Sequence, residues 1–436
     1  MPGIMHKSMG IVSYNSLPKW QKKWWNFSLN DTTGIYNKKF NTKEEKISEY
    51  CLIVDNLGWE WSRENIKKYK NFLLFGEKII PHGPVDKDFN QVWVTKQEHD
   101  QYNFFLLLKY YIEKFIKALK SKDFDLSVVF AGIIAHIIQD GCYPSHALSN
   151  SRFYEYFPHP SKIPHFHSII DETKVILSEG KARLLGTTTE EIAFRTYILI
   201  ENNIAWCKNN ILKIVDAIYK RNGKLLRKLI QTVCENAVEI VSSLWYSAIC
   251  VSAGRYKRKE EENLKSIYLT DFIPYYCHPG GKYPFIVKNH SIVNGKLKPL
   301  YIKEKGKIKK VRDGLGMTSF VSAKYLIDSS IFKRFRCKVG FLPVYKEGQN
   351  ENTKVKFIIE TSDAIKNQAR PDLRYENTKK VYEGIVKPGN AIEIDIKVED
   401  AVTFIVSAIS EPEQENGNKK YPFPHIVIGE PVFLKN

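Results

Sequence analysis

The sequence predicts a multi-domain α plus β protein, an all-helical domain followed by an antiparallel β-sandwich of jelly-roll type. Three observations predict it. Apolar residues recur at helical spacing through residues 1 to about 255, and beyond about 265 they alternate with polar ones in short runs. Between the two textures lies a charge run, "GRYKRKEEENLKS", from Gly254 to Ser266. With 436 residues the chain is also too long for one ordinary core. The expected layout is a helical domain over 1–260, a connector over 261–309 and a sandwich over 310–436.

The helical elements follow in order. "QYNFFLLLKYYIEKFIKALKSKDF" carries apolar residues at helical spacing without Gly or Pro. "DLSVVFAGIIAHIIQD" follows with Asp125 as its expected N-cap, and "GCYP" is expected to break it because Gly141 and Pro144 continue a helix poorly. Two long amphipathic helices come next. The first starts at "TTEEIAFR", where Thr188 and Glu191 form a capping-box pattern. After the charge run, "KVKFIIETS", "KVYEGIV", "AIEIDIKV", "AVTFIVSAI" and "HIVIGEPVFL" read as strands. "CHPGG", with Cys277 and His278, reads as a turn.

Composition narrows the functional classes. Apolar residues make up 43% and charged residues 26%, ordinary values for a globular chain. No apolar run reaches the roughly 18 residues a membrane span needs, and the first residues lack the apolar block of a signal peptide. The net charge of +18 favours phosphate-rich or acidic partners. Seven cysteines are scattered without a CxxC pair, which argues against a disulfide framework or thiolate zinc site.

Chemistry concentrates in "AHIIQDGCYPSH". On a helix, His136 and Asp140 stand at i and i+4 and share a face. His146 returns just past the helix end. "HFHSIIDE" supplies a second i,i+4 pair, His167 and Asp171. A carboxylate inside so apolar a helix is costly unless it is paired or metal-bound. Histidine and carboxylate sets without thiolate suit catalytic rather than structural zinc. No G-x-S-x-G elbow and no P-loop occurs.

The order H-x3-D-x5-H followed by H-x3-D resembles the zinc-dependent phospholipase C family and the related P1/S1-type nucleases, which are all-helical enzymes with a zinc cluster. The resemblance implies Zn2+, as two or three ions. It places His136 and Asp140 at a first zinc, with His82 of "IIPHGPVDKDF" and Asp55 of "YCLIVDNLGW" (Glu60 as the fallback). It places His146, His167 and Asp171 at a second zinc. Asp140 then bridges to a third, for which His6 in "MHKSMGIVSYNSLPKW" is the ligand. Secreted members add the amine of an N-terminal Trp, for which no Trp precedes His6. Asp55 is also implied as the catalytic carboxylate that orients or deprotonates water. His159 of "YFPHPSKIP" and Asn56 would line the substrate rim, and His165 is incidental. Choline-preferring members carry an aromatic where Asn56 stands.

The C-terminal region, from about 310 to 434, resembles galactose-binding-like modules of the NPCBM type. The likeness lies in the "GLGM" turn, the F-x-x-F-x-x-x-VG strand, the "FII" strand and the closing segment at His425. A C2-like lipid-binding sandwich is the alternative, but Asp363, Asp372 and Asp400 do not cluster in sequence. The combined expectation is a phospholipase C-like phosphodiesterase with a module for a glycan or an anionic membrane surface, and the family resemblance implies secretion. A single-strand nuclease acting on nucleic acid and a non-catalytic binder stapled by zinc remain as alternatives.

Overall fold

A computed structural model of the chain describes residues 3–56, 79–80, 83–84, 101–146, 157, 166–279, 285–345, 350–363, 378–415 and 418–435. The chain divides into two compact units, Met1–Glu262 and Asn263–Asn436. Among the described residues the first is helical apart from a two-residue ladder (β1, Ile79–Ile80, on β2, Gly83–Pro84) and an isolated bridge between Asn30 and Lys39, and the second is built of antiparallel strands. This is the predicted fold class.

The helical unit opens with α1 (Gly3–Asn15), α2 (Lys19–Trp24), α3 (Lys43–Tyr50) and the short α4 (Ile53–Asn56). Two core helices follow, α5 (Gln101–Lys120) and α6 (Phe124–Cys142). A 3-10 turn (Pro144–His146) and α7 (Phe166–Asp171) lead to the long α8 (Thr189–Tyr219) and α9 (Gly223–Ala253). The exposed α10 (Arg258–Glu262) closes the unit. Helix α6 packs against α1, α3, α4, α5, α8 and α9, which explains why its sequence is apolar all round. By length and composition the most apolar stretch of α6 could cross a membrane. That stretch is 83% buried within the protein, so the absence of a span-length segment expected from the sequence is corrected to one core helix of span length among the described residues.

Three local expectations are corrected or refined. Asp123 caps α6, accepting from the Leu126 N–H at 3.1 Å. Asp125, the expected cap, instead pairs with the buried Lys46 at 2.6 Å, and the same ammonium donates to the carbonyls of Ser28 and Asn30. A tertiary cation therefore draws Asp125 away from capping. Helix α6 also runs through Gly141 and ends only at Tyr143, whose backbone is extended. At α8, the Thr188 hydroxyl accepts from the Glu191 N–H as expected, but the Glu191 carboxylate bonds the N–H of Thr187.

In the second unit, one sheet has the order β15 (Ile392–Lys397), β12 (Arg334–Phe341), β19 (His425–Leu434), β10 (Gly314–Thr318), β5 (Ile286–Lys288), with β3 (Ser266–Tyr268) also on β19. The other has the order β14 (Lys379–Val386), β13 (Val355–Ser362), β16 (Thr403–Ser410), β11 (Val321–Leu326), β4 (Tyr276–Pro279). Buried Phe335, Phe404 and Phe433 meet with ring centroids 4.7–4.9 Å apart and join the two sheets through their apolar faces. The "GLGM" segment is a buried strand rather than a turn, and Cys277 and His278 lie on β4 rather than in a turn. Residues 290–310 form two further hairpins, β6 (His290–Val293) with β7 (Lys296–Pro299) and β8 (Tyr301–Glu304) with β9 (Lys307–Lys310). A last small hairpin pairs β17 (Glu413–Glu415) with β18 (Asn418–Lys420).

Candidate metal centre

The site begins with two glycines. Gly132 lies within α6 where an added Cβ would sit 2.4 Å from the Tyr50 carbonyl, and Gly10 lies within α1 where it would sit 2.7 Å from the Cys51 sulfur. Glycine at these two points lets the end of α3 lie directly against both helices. One turn from each glycine stands a histidine, His6 before Gly10 and His136 after Gly132. The close approach brings their rings into a stack with centroids 4.2 Å apart and planes 18° apart.

Each ring is held from behind. The Nδ1 of His136 lies 2.9 Å from the carbonyl oxygen of Cys51, and the Nδ1 of His6 lies 2.5 Å from the Oε1 of Gln139. Both partners are acceptors, so each Nδ1 carries its proton and donates it. The neutral ring then presents a lone pair on Nε2. Both Nε2 atoms approach the Asp140 carboxylate, His6 at 3.4 Å from one oxygen and His136 at 3.2 Å from the other. His6, His136 and Asp140 are all buried.

A cation among these three side chains would answer both lone pairs and the carboxylate at once. Two protons, one on each ring, would stack two imidazolium ions at 4.2 Å in a desolvated place, which is electrostatically unfavourable. One divalent ion shared by all three side chains satisfies the same charges without that repulsion. The three donor atoms lie within 4.8 Å of one another, close enough to hold a metal ion. Imidazole nitrogen with carboxylate oxygen fits zinc, and hydrogen bonds behind the ligand rings are the usual support of such a site. None of these three donors is a thiolate. Burial pushes the thiols of Cys51, Cys207 and Cys337 well above their ordinary value and those of Cys250 and Cys277 up to about 11.

The remaining expected residues are placed as follows. Asp55 and Asn56 lie on α4, which packs on α6. His146 ends the 3-10 turn, and His167 and Asp171 share α7 at i and i+4. The side chains of these five fall outside the described residues. The turn carrying His146 packs against α7 and α8, and the Tyr143 hydroxyl beside it donates to the Ile170 carbonyl at 2.9 Å. Asn203 of α8 caps the end of α6 by donating to the Cys142 carbonyl at 2.9 Å. His82, His159, the fallback Glu60 and the incidental His165 lie outside the described residues. The family resemblance allots His6 and His136 to different ions, whereas the geometry gathers them around one point with Asp140.

Sequence reasoning passed over Gln139, the Cys51 carbonyl and the two glycines. Gln139 and Gly132 were visible as a polar residue and a glycine inside an apolar helix. A backbone carbonyl has no sequence signature.

No protein-family model matches the chain, and no curated protein does. Solved structures do. The tandem CBM51 modules of Sp3GH98, the family 98 glycoside hydrolase from Streptococcus pneumoniae SP3-BS71, are 19% identical, with 39% of this chain and 47% of that chain covered and a TM-score of 0.31. The CBM51 from Clostridium perfringens GH95 in complex with methyl-galactose is 16% identical, with 38% and 99% covered and a TM-score of 0.28. Alpha-toxin from the avian Clostridium perfringens strain SWCP is 10% identical, with 100% and 97% covered and a TM-score of 0.27. The chain spans about a third of the CBM51-2 and INT domains of Clostridium perfringens ZmpB (32%) and about half of the Sp3GH98 modules.

Proposed function

We propose that the helical unit is a zinc-dependent phosphodiesterase of the phospholipase C type, acting on phospholipid headgroups. One observation carries this reading. Nε2 of His6, Nε2 of His136 and the Asp140 carboxylate converge in a buried place, with each imidazole already anchored through Nδ1. Zinc held there supplies positive charge for the oxygens of a phosphodiester and makes nearby water more acidic.

The chain's own residues do the rest. Gln139 and the Cys51 carbonyl stop the rings from rotating, so the donors need not reorganise during a reaction. Asp55 is assigned the proton of the attacking water, a role that rests on the family resemblance and is supported by the packing of α4 on α6. His82 is assigned beside Asp55 at the first ion. His146, His167 and Asp171 are assigned a second ion, supported by the packing of the His146 turn on α7. Asn56 and His159 are assigned to the substrate rim. The sandwich unit is read as a glycan-binding module on the cadence of its strands.

Phosphatidylcholine vesicles and single-stranded DNA, offered side by side to the purified chain with zinc, test the reading. Release of phosphocholine that disappears in His136→Ala supports it. Rapid DNA cleavage with intact lipid assigns the chain to the nuclease branch instead. Tight zinc without either activity leaves a structural staple.

A further inference from the structure

The densest concentration of one charge lies far along the chain from the metal centre. Residues 288–312 hold nine Lys or Arg against one Glu. They fold as the two hairpins β6–β7 and β8–β9. Each hairpin turns on a residue pair at positive φ, Asn294 and Gly295 in the first and Lys305 and Gly306 in the second. These turns match the right-handed twist of a tight hairpin. The same order then repeats after each turn. Lys296-Leu297-Lys298 follows the first, and Lys307-Ile308-Lys309 follows the second.

The inner side of this segment is fixed. Leu300, Ile302 and Val311 pack with Leu342 and Val427 of the sandwich. A Cβ on Gly316 would sit 2.2 Å from the His290 carbonyl oxygen and 3.0 Å from the Leu300 side chain, so the strand beneath must be bare for the hairpins to lie on it. The outer side is cationic. The one Glu of the stretch, Glu304, is already bonded by Lys309 at 2.7 Å and Lys338 at 2.8 Å. Among the described residues, the exposed Lys296, Lys298, Lys305, Lys307, Lys310 and Arg312 form no salt bridge. Between these lysines, Leu297 is 62% and Ile308 55% exposed.

We infer that the twin hairpins are a docking surface for an anionic lipid bilayer. Cationic side chains meet headgroup phosphates and carboxylates, while an aliphatic residue between two lysines enters the boundary of the acyl layer. The long lysine stems extend beside it and keep their charge at the headgroups. A surface for single-stranded nucleic acid would instead present exposed aromatic platforms for bases. Neither hairpin has one, since Tyr301 is half-buried against the Leu300–Ile302 cluster. The inference does not rest on the hydrolase reading.

Co-sedimentation of the full chain with phosphatidylcholine vesicles, with and without phosphatidylserine, tests it. Chelator is present throughout, so that hydrolysis plays no part. Binding is expected only with phosphatidylserine, and should weaken roughly fivefold for each lysine neutralised among K296Q, K298Q, K305Q and K307Q. The L297S/I308S pair keeps every charge and should weaken the binding that persists in high salt. Unchanged binding in both sets, or equal binding to uncharged vesicles, overturns the inference. So does a chain that ignores vesicles but binds heparin or single-stranded DNA. Pairing the substitutions by hairpin keeps the test valid should the fourfold variant fail to fold.

Discussion

His6 and His136 stack at a centroid distance of 4.2 Å while their Nε2 atoms approach different oxygens of Asp140. The two rings come from helices far apart in sequence, and the carboxylate between them is buried. A metal bound only by the folded protein stabilises it by an amount that grows with the logarithm of its concentration over its dissociation constant. At a hundred times its dissociation constant, zinc should contribute about 2.7 kcal/mol. For a unit of this size that is a rise of about 5–10 °C in Tm. Scanning calorimetry with zinc and with chelator checks it. Asp140→Asn, which keeps the shape and removes the charge, should abolish the difference.

Gln139 accepts from the Nδ1 of His6 and touches no proposed substrate. Gln139→Leu should leave the fold intact and lower zinc affinity about 10–100-fold, because the His6 ring loses its orientation. Competitive titration against a chromogenic chelator reads this without reference to activity.

Gly132→Ala places a Cβ 2.4 Å from the Tyr50 carbonyl. The end of α3 must move, and with it the Cys51 carbonyl that anchors His136. Stability should fall by about 1–3 kcal/mol, as expected for overpacking. Urea unfolding gives that figure, and zinc affinity should fall in the same variant.

Asp31 supplies a pH dependence away from the metal. Burial by itself raises its pKa, but hydrogen bonds from the Thr33 hydroxyl, the Tyr36 N–H, the Tyr50 hydroxyl and the Asn37 N–H outweigh it and hold the carboxyl well below the ordinary value. The folded state thus favours the ionised form. Its contribution is fully present above the ordinary Asp value near 4 and is lost as pH falls below it. The Tm should begin to drop as pH falls below about 5 and go on dropping well below the ordinary Asp value. Asp31→Asn should lower the Tm at neutral pH and reduce that acid slope, as thermal melts across the range would record.

Much of this architecture could be read from local pattern. The helical period gave α5, α6, α8 and α9, and alternation gave β13 to β16 and β19 but not the small hairpin β17–β18, because each reflects one buried face. The i,i+4 spacing was enough to pair His136 with Asp140. Tertiary choices were not legible. Asp123 and Asp125 are equivalent as caps until Lys46 arrives from another helix to take one of them. The strands between 266 and 310 are only three or four residues long, too few for a period to show. The acceptors behind the two histidines are a glutamine and a backbone carbonyl that only the fold brings to them.

The most direct measurement combines metal analysis and hydrolysis of a chromogenic phosphodiester on one preparation of the full chain. Two or more zinc ions per chain are expected, with hydrolysis that chelator removes, zinc restores and His136→Ala abolishes. Fewer than two zinc ions per chain, or hydrolysis undiminished in His136→Ala, would contradict it.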